Sequence, residues 1–154
     1  MIFRVPGPCT ILWGGSDIGV TKAGIVIRTV PNWIPITDDA HGAEPADYIY
    51  AGKIITAECL GMYEDLITIA NPFDNVFGDG KVVGESIGVS STPRALQITE
   101  RDGTSIWLAD HTEPVPTEML LAATQELRVP LTFMILLDSN GLLFNTVPSY
   151  IPGV

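Results

Sequence analysis

The chain has 154 residues, enough for one domain with a sizeable core, and its 18 acidic and 8 basic residues give a net charge of −10. Cations this few and this scattered cannot displace phosphate counterions as a cluster, which argues against a protein that grips nucleic acid. Charged residues make up 17% and mean hydropathy is +0.30, so surplus apolar surface is expected to be buried against copies of the chain or a partner.

The longest apolar run, Phe133 to Leu137, is strand-sized, and no stretch is long enough to span a bilayer. The opening MIFRVPGPC has no extended apolar segment and is broken by Pro6 and Pro8, so residues 1–8 are expected to form an N-terminal arm rather than a signal peptide. Cys9 and Cys59 lack metal-type spacing and are expected to be reduced structural thiols.

In chain order, Cys9 to Trp13 predicts a strand, Gly14-Gly15 a turn, and Ser16-Asp17-Ile18-Gly19 a turn-rich bridge. Ala23 to Val30 is β-branched and predicts a strand with Ile25, Ile27 and Thr29 on one face and Val26, Arg28 and Val30 on the other. Pro31 and Pro35 then interrupt, permitting at most an edge strand from Trp33 to Thr37. A long loop is expected over residues 37–50. It carries Asp38, Asp39, Glu44 and Asp47, with no Lys or Arg, and has room for one helical turn over 46–50.

Lys53 to Leu60 predicts the returning strand. Leu60 to Ala70 predicts a helix, with Met62, Leu66 and Ile69 on one side and Asn71-Pro72 as its stop. Lys81 to Val89 predicts a further strand. Arg94 to Glu100 and Ser105 to Asp110 flank Arg101-Asp102-Gly103-Thr104, a hairpin signal. Residues 118–127 suit helix and strand equally. Leu131 to Asp138 and Leu142 to Val147 flank a turn at Ser139-Asn140-Gly141. The whole predicts a single mainly β domain over 1–154: an antiparallel sandwich or barrel, one flanking helix at about 60–70, and the long loop at about 37–50.

Signals for chemistry are sparse. Gly84-Glu85-Ser86-Ile87-Gly88 fits the nucleophile elbow, and Asp102 and His111 would follow in triad order. That motif needs a strand-to-helix turn over a parallel sheet, which this β-rich pattern does not offer. The glycines at 14, 15 and 19 and at 78 and 80 match neither dinucleotide nor Walker spacing. His41 with Asp38, Asp39 or Glu44 offers metal-ligand chemistry, but the run lacks an EF-hand's alternation and closing Glu, so a solvated loop is expected. Trp13 and Trp107 are expected in the core, which leaves Trp33 as a candidate interface anchor. No enzyme, cofactor or metal is expected.

The run Gly14-Gly15-Ser16-Asp17-Ile18-Gly19-Val20-Thr21-Lys22-Ala23-Gly24-Ile25, with its D-x-G-x-T-x-x-G pattern, resembles the opening of tail tube proteins of long-tailed bacteriophages. The polar stretch with Gly42, Pro45 and Asp47 follows in the family's order, then a return strand and a helix near Leu60. The end also resembles the family, in Arg128-Val129-Pro130-Leu131-Thr132-Phe133, Asp138 and Gly141 to Phe144.

The resemblance implies a virion tail subunit, assembled in the host cytoplasm into stacked homo-hexameric rings. Other tail proteins (a terminator, a baseplate, in some tails a sheath) would be its partners. It implies a lumen sheet formed by Ala23 to Val30 and Lys53 to Cys59, with Ile25, Ile27, Arg28, Thr29, Lys53, Ile55, Thr56 and Glu58 as lining candidates. It places ring-to-ring contacts in 37–50, on Asp38, Asp39, His41, Glu44, Asp47 and Tyr48. Arg28, Lys53 and Lys22 become candidate partners for acids on adjacent subunits. DNA would pass an acidic wall without specific binding. The alternatives are a related ring protein (terminator, baseplate hub piece or type VI secretion-like tube) and a ligand-binding β-sandwich, which exposed aromatics on one sheet face would favour.

Overall fold

The computed structural model describes residues 1–62, 94–116 and 129–151, and these contain eight strands and no helix. The strands are β1 (Ile2–Val5), β2 (Thr10–Trp13), β3 (Ser16–Val20), β4 (Ile25–Ile36), β5 (Asp47–Met62), β6 (Arg94–Thr99), β7 (Ile106–Pro116) and β8 (Val129–Leu136). All pair antiparallel in one sheet of order β1-β4-β5-β8-β7-β6-β2-β3. No β1–β3 pairing closes it among the described residues, so the sheet is open.

Chain connectivity nevertheless forces this open sheet to curl. β1 and β2 stand six strand spacings apart in the order, as do β3 and β4. Laid flat, each pair would be separated by roughly 29 Å at ~4.8 Å per strand. The linkers joining them, Pro6 to Cys9 and Thr21 to Gly24, can span at most roughly 18 Å. The two ends of the sheet are therefore drawn toward each other. Ring contacts across the inside agree: Phe3 of β1 lies 6.2 Å from Trp107 of β7, and Trp13 of β2 lies 6.5 Å from Phe133 of β8.

The two linkers cross in close contact. The Thr21 hydroxyl accepts the Cys9 N–H at 3.0 Å, and the Thr21 N–H returns to the Cys9 carbonyl at 2.9 Å. A Cβ on Gly24 would stand 2.0 Å from the Val5 carbonyl oxygen and 2.7 Å from the Gly7 nitrogen. Gly24 also has φ +88°, a backbone that other residues rarely adopt, so both space and conformation require glycine there. Inside the curl, Ile11, Trp13, Ile25, Ile27, Ala57, Leu96, Ile98, Leu131 and Phe133 belong to a single buried cluster.

Several expectations hold and others shift. The hairpin at Asp102-Gly103 forms because the Asp102 carboxylate accepts the N–H groups of Thr104 and Ser105, both at 2.8 Å. Trp13 and Trp107 are buried as expected. The expected bridge at 16–19 is instead part of β3, where buried Ile18 is followed by Gly19 and exposed Val20, too little alternation to signal a strand. Residues 2–5 of the expected arm pair with β4 as β1. Leu142 to Val147 does not form a strand: its one ladder contact is an isolated bridge between Thr146 and Leu108. Leu60 to Met62, placed in the expected helix, continues β5 toward Val129 of β8. The remainder of that helix, the strand at 81–89, Ser86 and residues 118–127 lie outside the described residues.

Candidate assembly surface

The largest departure from expectation is at 30–54. Pro31 and Pro35 do not stop β4, which runs to Ile36 and pairs with β5 through Ile36↔Asp47. The reason is the direction of their nitrogens. The Thr29 N–H points away from β5, to the Met1 carbonyl at 2.8 Å, and Pro31 lies two residues on. The Ile36 carbonyl faces β5, accepting the Ala46 N–H at 2.8 Å, so Pro35 beside it faces out. Neither proline interrupts the ladder, and both blunt the outer edge of β4. The expected loop at 37–50 therefore contracts to 37–46, and Asp47 to Tyr50 belongs to β5.

The result is a two-stranded arm beyond the curled sheet. Every residue from Val30 to Ala51 is exposed. Val30, Trp33, Ile34, Ile36, Tyr48, Ile49, Tyr50 and Ile54 make up more than half of the exposed large hydrophobic side chains among the described residues. Register divides the outer part into two faces. Trp33 opposes Tyr50 and Pro35 opposes Tyr48 on one; Ile34 opposes Ile49 and Ile36 opposes Asp47 on the other. The Trp33 and Tyr50 rings sit 5.0 Å apart, tilted by 56°. Such a ribbon is marginal in water by itself, and both of its faces carry apolar side chains.

The candidate contact residues gather at the tip. Asp38 accepts the His41 N–H at 2.8 Å and lies 2.7 Å from His41 Nδ1, a charged pair whenever the imidazole is protonated. Asp47 accepts the Tyr48 N–H at 2.7 Å. Asp39 and Glu44 are exposed in the same loop. The described residues contain no group of three or more His, Cys, Asp or Glu side chains placed to hold a metal ion.

The candidate lumen residues fall on two opposite faces. Ile25, Ile27 and Ile55 are buried in the core, and Thr29 and Lys53 share their side of the sheet by register. Arg28, Thr56 and Glu58 lie on the other side, with Thr132 and Met134 of β8 beside them. Arg28 and Glu58 form an ion pair at 3.5 Å there. Of the other groups singled out for chemistry, Asp102 is engaged in its turn and His111 Nδ1 lies 3.2 Å from the Leu137 carbonyl oxygen. The signal that could have identified the arm is Trp33-Ile34-Pro35-Ile36 set against Tyr48-Ile49-Tyr50, two apolar runs with no polar face.

No helix among the described residues is long and apolar enough to cross a membrane. No protein-family model matches this chain, and neither does any curated protein.

Proposed function

We propose that this chain is a self-assembling structural subunit of the tail-tube type: hexameric rings, stacked into an acidic conduit through which DNA passes, with no catalysis and no cofactor. The observation that carries this reading is the arm. A ribbon with exposed apolar side chains on both faces is explained if neighbouring copies cover it, as the ring-to-ring element of such a tube would be covered. In this reading the curled sheet is the barrel- or sandwich-like body, and ring closure protects its open edges. Only the side bearing Arg28, Thr56 and Glu58 is available to face a lumen, because Ile25, Ile27 and Ile55 are core residues. Pairing of Arg28 with Glu58 removes a cation that could hold phosphate, and the net charge of −10 supports passage without adhesion.

Negative-stain microscopy across protein and salt concentrations tests the proposal. Stacked rings are expected. Single rings would point to a terminator-like component, and monomers under all conditions would overturn the reading. A second reading has one observation in its favour: Trp33, Tyr48 and Tyr50 share a face of the arm, as aromatics do in a carbohydrate-binding module. The 56° tilt between the Trp33 and Tyr50 rings makes this a poor flat platform. Quenching of Trp33 fluorescence by soluble polysaccharide would support it.

A further inference from the structure

Beside the base of the arm lies a cavity of about 430 Å³ whose lining includes Phe3, Ile27, Trp107, Phe144, Val147 and Ile151. Pro31 and Lys53, facing each other across the two arm strands, also line it. Its volume lies within the range of sites that enclose a group of side-chain or ligand size, and its walls are mainly apolar and aromatic.

We propose that this cavity receives the arm of a second copy of the chain, with Trp33 and Tyr48 entering it and the acidic tip meeting Lys53. This deepens the self-assembly reading and rests on it. Two kinds of complementarity on the molecule support the pairing. The arm offers exposed aromatic side chains, and the cavity offers Phe3, Trp107 and Phe144. The arm carries Asp38, Asp39, Glu44 and Asp47 with no Lys or Arg from Val30 to Gly52, whereas Lys53 supplies a cation at the cavity. In a chain of net charge −10, contact between copies is favoured where one of the 8 basic residues faces that acidic tip.

Neither Trp33 nor Tyr48 lines the cavity beside its own arm. From Lys53 to Asp47 an extended strand covers roughly 20 Å, so the tip stands well out from the base that borders the cavity. Two different surfaces, arm and cavity, thus meet between copies. That is a head-to-tail contact, which propagates into a ring or a stack rather than ending at a two-fold dimer.

The test uses complementation. Trp33→Ser disables the arm and leaves the cavity intact; Lys53→Glu with Val147→Trp disables the cavity and leaves the arm intact. In sedimentation velocity, each variant alone should associate roughly 30-fold more weakly than the unmodified chain. An equimolar mixture should form a one-to-one complex and nothing larger. Because Val147→Trp could disturb folding, a second pair places Tyr48→Cys and Val147→Cys on separate copies. Cys9 and Cys59 are buried, so a short bis-maleimide should link the two introduced thiols across copies. If the unmodified chain assembles while the cavity variant assembles equally well, the mixture stays monomeric or no cross-copy link forms, this inference alone is overturned. Monomers of the unmodified chain at every concentration overturn it together with the self-assembly reading.

Discussion

β4 and β5 each belong to two regions that obey opposite rules. At one end of the pair, Ile25 and Ile27 of β4 and Ala57 and Cys59 of β5 are buried in the curled sheet. At the other, Trp33, Ile34, Tyr48, Ile49 and Tyr50 are all exposed. The change comes where neighbours end: β1 and the preceding Met1 cover β4 only through Thr29, and β8 covers β5 only from Thr56 onward. Beyond those points the two strands pair with each other alone. Apolar content is therefore a poor guide to burial within one chain. In the sheet it stabilises the fold, and in the arm it is available to another molecule.

Substitutions should separate the two regions, and the largest effect belongs to the core. Phe133 is fully buried against Trp13, so Phe133→Ala should cost about 3–5 kcal/mol in urea unfolding. A loss below about 1 kcal/mol would mean that the curl is not held by this cluster. Next comes the crossing of the linkers. Gly24→Ala places a Cβ against the Val5 carbonyl at positive φ and should destabilise by more than about 1 kcal/mol in the same assay. Full stability in this variant would contradict the close crossing that draws the sheet ends together.

The arm should behave in the reverse manner. Trp33→Ser should change unfolding stability by no more than about 0.5 kcal/mol, since the side chain is exposed, while weakening association between copies. Equal losses of stability and association would merge the two regions into one. The smallest effect lies in the turn between β6 and β7. The Ser105 hydroxyl, then the N–H groups of Ser105 and Thr104, hold the Asp102 carboxyl down to about 2. A depressed folded value means that ionised Asp102 stabilises the fold above its unfolded pKa, and that this contribution fades as pH falls from about 4 toward 2. Carboxyl titration by NMR should find that low midpoint, and a higher one in Ser105→Ala, which loses the hydroxyl and keeps the two backbone donors.

The legibility of each region in the sequence follows the same division. Local signals were readable where one side chain sets the geometry. Asp102 organises its turn, and Asp138 organises Ser139-Asn140-Gly141 by accepting the Asn140 and Leu142 N–H groups at 2.8 and 2.9 Å. The curl was not readable, because it follows from strand order and short linkers, which residue periodicity does not encode. At Pro31 and Pro35 the sequence signals a break in β4 that the structure does not contain. Proline is a strand breaker only when its nitrogen faces a partner, and direction within a ladder depends on register. At the return strand, β5 begins at Asp47 rather than Lys53 because Tyr48-Ile49-Tyr50 finds its ladder on β4, although the surrounding acids, Gly42 and Pro45 suggest loop. Cys9 and Cys59 fit the expected structural thiols: both are free and buried, and burial raises both thiol pKa values.

The claim that the arm is covered by other copies is tested most directly by imaging the unmodified chain beside a variant in which residues 32–51 are replaced by a two-residue Asn-Gly turn. The account predicts rings or stacked tubes for the first and folded monomers with unchanged unfolding cooperativity for the second. Tubes that form equally well without the arm would contradict it.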